Sequence, residues 1–211
     1  MKCNVSLKIC ALLCAVLCLG SCTSKPREMD AYDITKPADQ LLKEVKRDGF
    51  VVMENGDVSV GQELWSAFYE ATRAGTPASV KLATYHTLEH QNVSEEYLKE
   101  HGDEYPVIYL AELSFDGRVY TYRSLNGQDG VTGFTRTYEH LMRYEDVPKS
   151  ETATFESCER YVLTHDNTVT YERLQYGLYS SQMGDYIDHF EVYSNYQFKP
   201  EYKEREKNHE K

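Results

Sequence analysis

The stretch that decides the fold is the segment 107–125, which reads VIYLAELSFDGRVYTYRSL. Apolar and polar residues alternate on both sides of Asp116-Gly117, and this dipeptide favours the two-residue turn of a β-hairpin. A turn of that length predicts three cross-strand pairs: Ser114 with Val119, Leu113 with Tyr120 and Ala111 with Tyr122. One face of the hairpin then carries an apolar and aromatic row that we expect to face the core. Its members are Tyr109, Ala111, Leu113, Phe115, Tyr120 and Tyr122.

Further elements are predicted on both sides of this hairpin. Helical periodicity indicates helices over 37–48 and 170–180, a short helix over 94–101, and a helix that a capping box of Ser59 and Gln62 opens and Gly75 ends. Alternating runs indicate strands over 50–53, 79–85, 134–142, 154–163 and 186–198. Helices mostly precede a run of strands. We therefore predict an α+β fold, with a largely antiparallel sheet of about five to seven strands and two to four helices packed on it.

The N-terminus has the pattern of an export signal. A lysine-bearing start is followed by an apolar run, 9–19, which is too short to cross the roughly 30 Å hydrocarbon core of a bilayer. The run ends at Leu19-Gly20-Ser21-Cys22, which resembles the lipobox of bacterial lipoproteins. This resemblance implies a diacylglyceryl group and further acyl lipid on Cys22 and removal of residues 1–21. The alternative is an ordinary secretory signal with a chance cysteine.

Charge restricts the partners of the processed protein. Cleavage would remove two of the 23 basic residues, Lys2 and Lys8, and would move the formal net charge from −11 to −13 against 34 acidic residues. Such a surface disfavours nucleic acid, because phosphate binding depends on Lys and Arg. It also repels anionic lipid headgroups, so we expect the lipid to hold the protein on the membrane. The predicted location is the extracytoplasmic face of the cell membrane, or the outer membrane in a Gram-negative host.

The same features divide the chain into four parts. We predict a signal peptide over 1–21, a lipidated cysteine and tether over 22–36, a single α+β domain over 37–198, and a charged, disordered tail over 199–211. Only Cys22 and Cys158 remain after cleavage. Because Cys22 would be acylated, we expect no intramolecular disulfide.

One short motif is suggestive of metal chemistry. His86-Thr87-Leu88-Glu89-His90 matches the H-x-x-E-H pattern, in which two histidines on one helical face hold zinc and the glutamate activates its bound water. Here the motif follows a predicted strand, without a long helix and without an identifiable third ligand. We therefore expect loop residues near a strand end. A zinc-dependent or other hydrolase acting on envelope material through His86, Glu89 and His90 remains the alternative.

Two other groups of residues invite a functional interpretation. Cys158 with a histidine would make a nucleophile and base, but its place inside a predicted strand favours a buried, inert thiol. Asp185, Asp188 and Glu191 gather around His189, and their carboxylates are potential calcium ligands, but the spacing matches no EF-hand loop. We therefore expect a solvated strand face there, and no cofactor other than the covalent lipid.

Tyrosine is unusually frequent in this chain, with 18 residues against seven Phe and one Trp. Strand packing explains most of them, because aromatic residues are favoured in strands. Tyrosine also suits binding surfaces, since its ring is rigid and amphipathic. If part of the hairpin row is exposed, Tyr109, Tyr120 and Tyr122 form the first candidate for a partner surface.

Several segments resemble small, uncharacterised lipoproteins of Gram-positive, clostridial-type bacteria. They are ELWSAFY at 63–69, GTPASVKL at 75–82, LSFDG at 113–117 and GDYIDH at 184–189. The resemblance covers about residues 50–198 and implies a lineage and a location but no activity. The lipid anchor, the tether, the tyrosine-rich sheet and the absence of a coherent catalytic set lead us to expect a non-enzymatic binding module for an unknown envelope protein or ligand. A structural or chaperone-like envelope accessory is a further possibility.

Overall fold

The computed structural model describes residues 27–88, 93–127, 133–148 and 150–202. Within them the α+β prediction is confirmed. The α-helices are α1 (Ala38–Val45), α2 (Gln62–Arg73), α3 (Glu95–His101) and α4 (Tyr171–Tyr179). The strands are β1 (Val51–Glu54), β2 (Asp57–Val60), β3 (Ala78–His86), β4 (Val107–Phe115), β5 (Tyr120–Ser124), β6 (Phe134–Tyr138), β7 (His140–Asp146), β8 (Phe155–Thr164) and β9 (His189–Phe198).

The strands form two sheets, whereas the sequence analysis predicted one. The larger sheet has the order β2-β1-β3-β4-β5-β6 and is antiparallel except for the parallel pair β1–β3. The smaller sheet, β7-β8-β9, is antiparallel throughout. The predicted strand 134–142 ends at Tyr138 and resumes at His140 in the other sheet, so the two sheets are joined at Glu139.

The hairpin β4–β5 forms as predicted, but its register is shifted by two residues. Phe115 lies opposite Tyr120 and Leu113 opposite Tyr122. The turn is longer than expected because the Asp116 carboxylate accepts backbone N–H bonds from Arg118 (2.8 Å) and Val119 (2.9 Å). Since side chains alternate with a period of two, a two-residue shift leaves every side chain on its predicted face.

The capping box predicted for α2 is wrong. Ser59 lies in β2, a strand that the sequence analysis missed, and its hydroxyl donates to the carbonyl of Val52 (3.4 Å). The helix instead begins after Gly61, which has a φ of +84°. A Cβ atom at Gly61 would lie 2.5 Å from the carbonyl oxygen of Phe50, so both the conformation and the close approach require glycine. The side chains of Ser94 and Thr170 cap α3 and α4, where they accept backbone N–H bonds from Tyr97 and Arg173.

The larger sheet is covered on both faces. On its outer face, α1 and the segment before it bury Leu41, Val45 and Phe50. On its inner face, α2 and the smaller sheet enclose an aromatic core. Trp65 of α2 is its centre: the indole stacks on Tyr193 with ring centroids 4.3 Å apart and meets the edge of Tyr161 at 4.8 Å.

The structure corrects both predicted ends of the domain. The stretch 27–36, predicted as part of a tether, packs on α1 and the turn after it. Tyr32 is 5% exposed, shares a buried cluster with Leu41 and Val45 of α1, and its hydroxyl donates to Asp48 (2.8 Å). The stretch 199–202, predicted to open the disordered tail, also packs, with Tyr202 stacked on Phe198. The remaining residues of the predicted tether and tail, and the whole predicted signal peptide with Cys22, lie outside the described residues. No described helix has the length and apolar character needed to span a bilayer.

Candidate functional site

A groove of about 740 Å³ opens at one end of the inner face of the larger sheet. No residue of α2 is among the described residues that line this end of the sheet. We call it the aromatic groove. Its lining residues are Thr84, His86, Tyr109, Tyr122, Ser124, Asn126, Gly127, Phe134, Arg136, Phe190 and Glu191.

Strand alternation explains why these side chains meet. Each of β3 to β6 directs every second residue to the inner face, and antiparallel pairing brings the relevant ends of the four strands to the same end of the sheet. The register places Thr84 opposite Tyr109, Tyr122 opposite Arg136 and Ser124 opposite Phe134. Only Phe190 and Glu191 come from the smaller sheet, through β9.

Three rings form the wall of the groove. Tyr122 and Phe190 have centroids 4.6 Å apart, and Phe134 lies 5.8 Å from each of them. All three are half-buried, so each ring packs on one side and is open to the groove on the other. Burial raises the pKa of Tyr122 to about 12, so its phenol is neutral and serves as a polar edge of an otherwise apolar wall.

The polar side chains on the floor of the groove, Asn126 and Ser124, form hydrogen bonds with the backbone of the domain. The Asn126 side chain accepts from the backbone N–H of Leu110 (3.0 Å) and donates to the carbonyl of Ile108 (2.8 Å). The Ser124 hydroxyl donates to the carbonyl of Asn126 (2.5 Å). Asn126 thus bonds to the backbone of β4 at the point where the β5 backbone stops pairing with it, and these bonds hold the floor of the groove in place.

Two charged side chains border the groove, and they differ in their partners. Both carboxylate oxygens of Glu191 lie 3.0 Å from Nη1 of Arg160, whose side chain is largely buried. Arg136 is exposed, and its guanidinium carbon lies 5.1 Å from the centroid of Phe190 and 5.4 Å from that of Phe134. A hydrogen bond with Tyr138 raises the pKa of Arg136, with a smaller contribution from the charge of Asp188.

Of the H-x-x-E-H motif, His86 was expected in a loop but is the last residue of β3. It lies in the aromatic groove, with its ring 6.2 Å from that of Tyr109. Burial lowers the pKa of His86, so the imidazole is neutral at pH 7. Glu89 and His90 lie outside the described residues. The described part of the chain contains no cluster of three or more His, Cys, Asp or Glu side chains placed to hold a metal ion.

The predicted tyrosine surface divides into two parts. Tyr109 and Tyr122 line the groove, but Tyr120 is 7% exposed and stacks on Phe115 within the core, so it is not part of any surface. Sequence reasoning missed Phe134, Arg136 and Phe190 as lining residues. For Phe134 and Arg136 a signal exists, since they alternate along β6 with the buried Tyr138; Phe190 comes from the other sheet.

The remaining candidates from the sequence, Cys158 and the acidic segment 185–191, do not form a site. Cys158 is a free, fully buried thiol, and burial raises its pKa to about 11, which agrees with the prediction of an inert residue. The acidic segment 185–191 is not one strand face, because β9 begins only at His189. Asp185 accepts from Ser180 (2.5 Å) and Asp188 lies 3.7 Å from His165, so these carboxylates face separate partners.

Comparison with known protein families, curated proteins and solved structures finds no match. The resemblance to clostridial-type lipoproteins therefore stays a prediction.

Proposed function

We propose that this chain is a lipid-anchored extracytoplasmic protein whose domain binds a small ligand, without chemical conversion, in the aromatic groove. The observation that carries the binding role is the groove itself. Its volume of about 740 Å³ lies within the range of roughly 300–1,000 Å³ that is usual for small-molecule sites. Its walls are half-buried aromatic rings, which supply contact area with little loss of conformational entropy.

Three polar lining groups, Ser124, Asn126 and Glu191, already have partners within the fold, which favours binding over catalysis at these positions. Ser124 and Asn126 are held by backbone partners, and Glu191 is held by Arg160. A general base or nucleophile needs a lone pair or proton that is free to act on the substrate. In this groove these groups instead fix the shape of the site.

The binding role is tested with a neutral aromatic probe, 2-naphthamide. The full chain in phosphatidylcholine nanodiscs is dialysed to equilibrium against the probe, with empty nanodiscs as the blank. We expect saturable binding that Phe134→Ala weakens by about three- to tenfold, because one wall ring is lost. Tyr179→Ala, which removes an 85% exposed ring outside the groove, is the matched control and should leave the affinity unchanged. Equal affinity in the two variants, or no saturable binding, would refute the groove as a ligand site.

The anchor is tested independently through Cys22. We expect Cys22→Ala to appear in the soluble fraction after cell lysis, while the wild-type chain sediments with membranes, because stable attachment requires the acyl chains. Retention of the variant on membranes would overturn the lipoprotein assignment and leave the groove unaffected.

A further inference from the structure

We infer that the ligand of the aromatic groove is a small organic monoanion, with a flat apolar or aromatic body and one carboxylate that binds Arg136. This inference rests on the proposed binding function and names the class of ligand. It follows from the charge balance of the lining residues, the presentation of Arg136, and the net charge of the whole chain.

Counted over the lining residues that the structure describes, the charge balance of the groove is positive. Among its described lining residues, Arg136 and Glu191 are the fully charged ones at pH 7, since the pKa of His86 is lowered by burial. Glu191 is neutralised by two contacts of 3.0 Å with Arg160. Arg136 therefore supplies the uncompensated charge that a ligand meets.

Arg136 is presented in a way that favours a carboxylate. Its guanidinium group lies over Phe134 and Phe190, and no carboxylate of the described residues lies within ion-pair distance of it. The charge of Asp188 contributes to the raised pKa of Arg136, but the Asp188 carboxylate is shared between His165 (3.7 Å) and the Tyr138 hydroxyl (3.4 Å). Guanidinium resting on aromatic rings keeps in-plane donors that match the two oxygens of a carboxylate.

The rest of the molecule limits the charge of the ligand. The net charge of −11 produces a field that opposes the approach of multiply charged anions. One arginine compensates one negative charge, so a monocarboxylate fits and a polyphosphate does not. The rings of Tyr109, Tyr122, Phe134 and Phe190 surround the space beside Arg136, and they favour a flat, apolar body.

The test compares probes that share one ring system and differ in charge. The full chain in phosphatidylcholine nanodiscs is dialysed at low salt against 2-naphthoate, 2-naphthamide and 2-naphthylmethylamine. We expect 2-naphthoate to bind about tenfold more tightly than 2-naphthamide, and the amine to bind most weakly, because a charge-assisted hydrogen bond to Arg136 forms only with the carboxylate. High salt should reduce the preference, since Arg136 is exposed and its charge is screened.

Two arginine variants test whether the preference for 2-naphthoate over 2-naphthamide comes from Arg136. Arg136→Gln should bind 2-naphthoate and 2-naphthamide equally, whereas Arg118→Gln, an exposed arginine in the turn between β4 and β5, should keep the wild-type preference. Equal binding of the two probes by the wild-type chain, or a preference that survives in Arg136→Gln, would overturn this inference and leave the groove in place. Failure of all three probes to bind would overturn the proposed function as well.

Discussion

The inner face of the larger sheet has two ends with similar composition and different cover. At one end α2 and the smaller sheet enclose Trp65, Tyr161 and Tyr193, all of which are at most 4% exposed. At the other end Tyr122 and Phe134 lie on the same face but remain half-buried beside a groove. Aromatic residues at alternate strand positions therefore identify the apolar face of a sheet, and the covering elements decide which part becomes core and which part becomes a site.

The largest expected difference between the two ends is in stability. Trp65→Ala should lower the free energy of unfolding by about 3–5 kcal/mol, because it leaves a cavity between Tyr161 and Tyr193. The measurement is urea unfolding followed by circular dichroism. Leu64→Ala is the matched control on the neighbouring, 38% exposed position, and should cost less than about 1 kcal/mol. Similar costs for the two variants would show that the covered end is not the core.

A smaller effect is expected at the open end. Phe134→Ala should lower the free energy of unfolding by only about 1 kcal/mol, because the ring is half-buried and its loss removes contacts with Tyr122 and Phe190 without creating an enclosed cavity. The same urea titration measures it. A cost as large as that of Trp65→Ala would mean that the groove is part of the core rather than a site.

The smallest effect concerns pH. Burial holds the pKa of His86 below its ordinary value, so the folded protein binds fewer protons than the unfolded chain as the pH falls below about 6.5. The buried His86 therefore lowers the free energy of unfolding as the pH falls. His86→Gln should lose part of this dependence between pH 7.5 and 5.5 in urea titrations. An identical pH dependence in the two proteins would place His86 in open solvent rather than in the groove.

Local features, and the face of each strand that is buried, could be predicted from the sequence. The hairpin β4–β5, its apolar row and the helices α3 and α4 all depend on residues close together in the chain. The error in register came from one side chain, since the Asp116 carboxylate closes a longer turn than the dipeptide rule expects.

The second sheet and the groove depend on long-range packing and were not predicted. Phe190 reaches Phe134 from a strand that starts about fifty residues later in the chain, and Arg136 acquires its role only because both rings lie beside it. Likewise, 27–36 was predicted to be a tether because it is polar, but Tyr32 and a few partners are enough to dock it on α1. The composition of a segment indicates how polar it is on average, whereas its packing on the domain depends on a few individual contacts.

The central claim, that the open end is a ligand site, is tested most directly inside cells. A photoreactive benzoyl-phenylalanine is placed at Phe134 in the groove or, as a control, at the 85% exposed Tyr179 outside it, and both proteins are irradiated and analysed by mass spectrometry. We expect a discrete small-molecule adduct on the peptide that carries position 134 and none on the peptide that carries position 179. No adduct at position 134, or the same adducts at both positions, would contradict it.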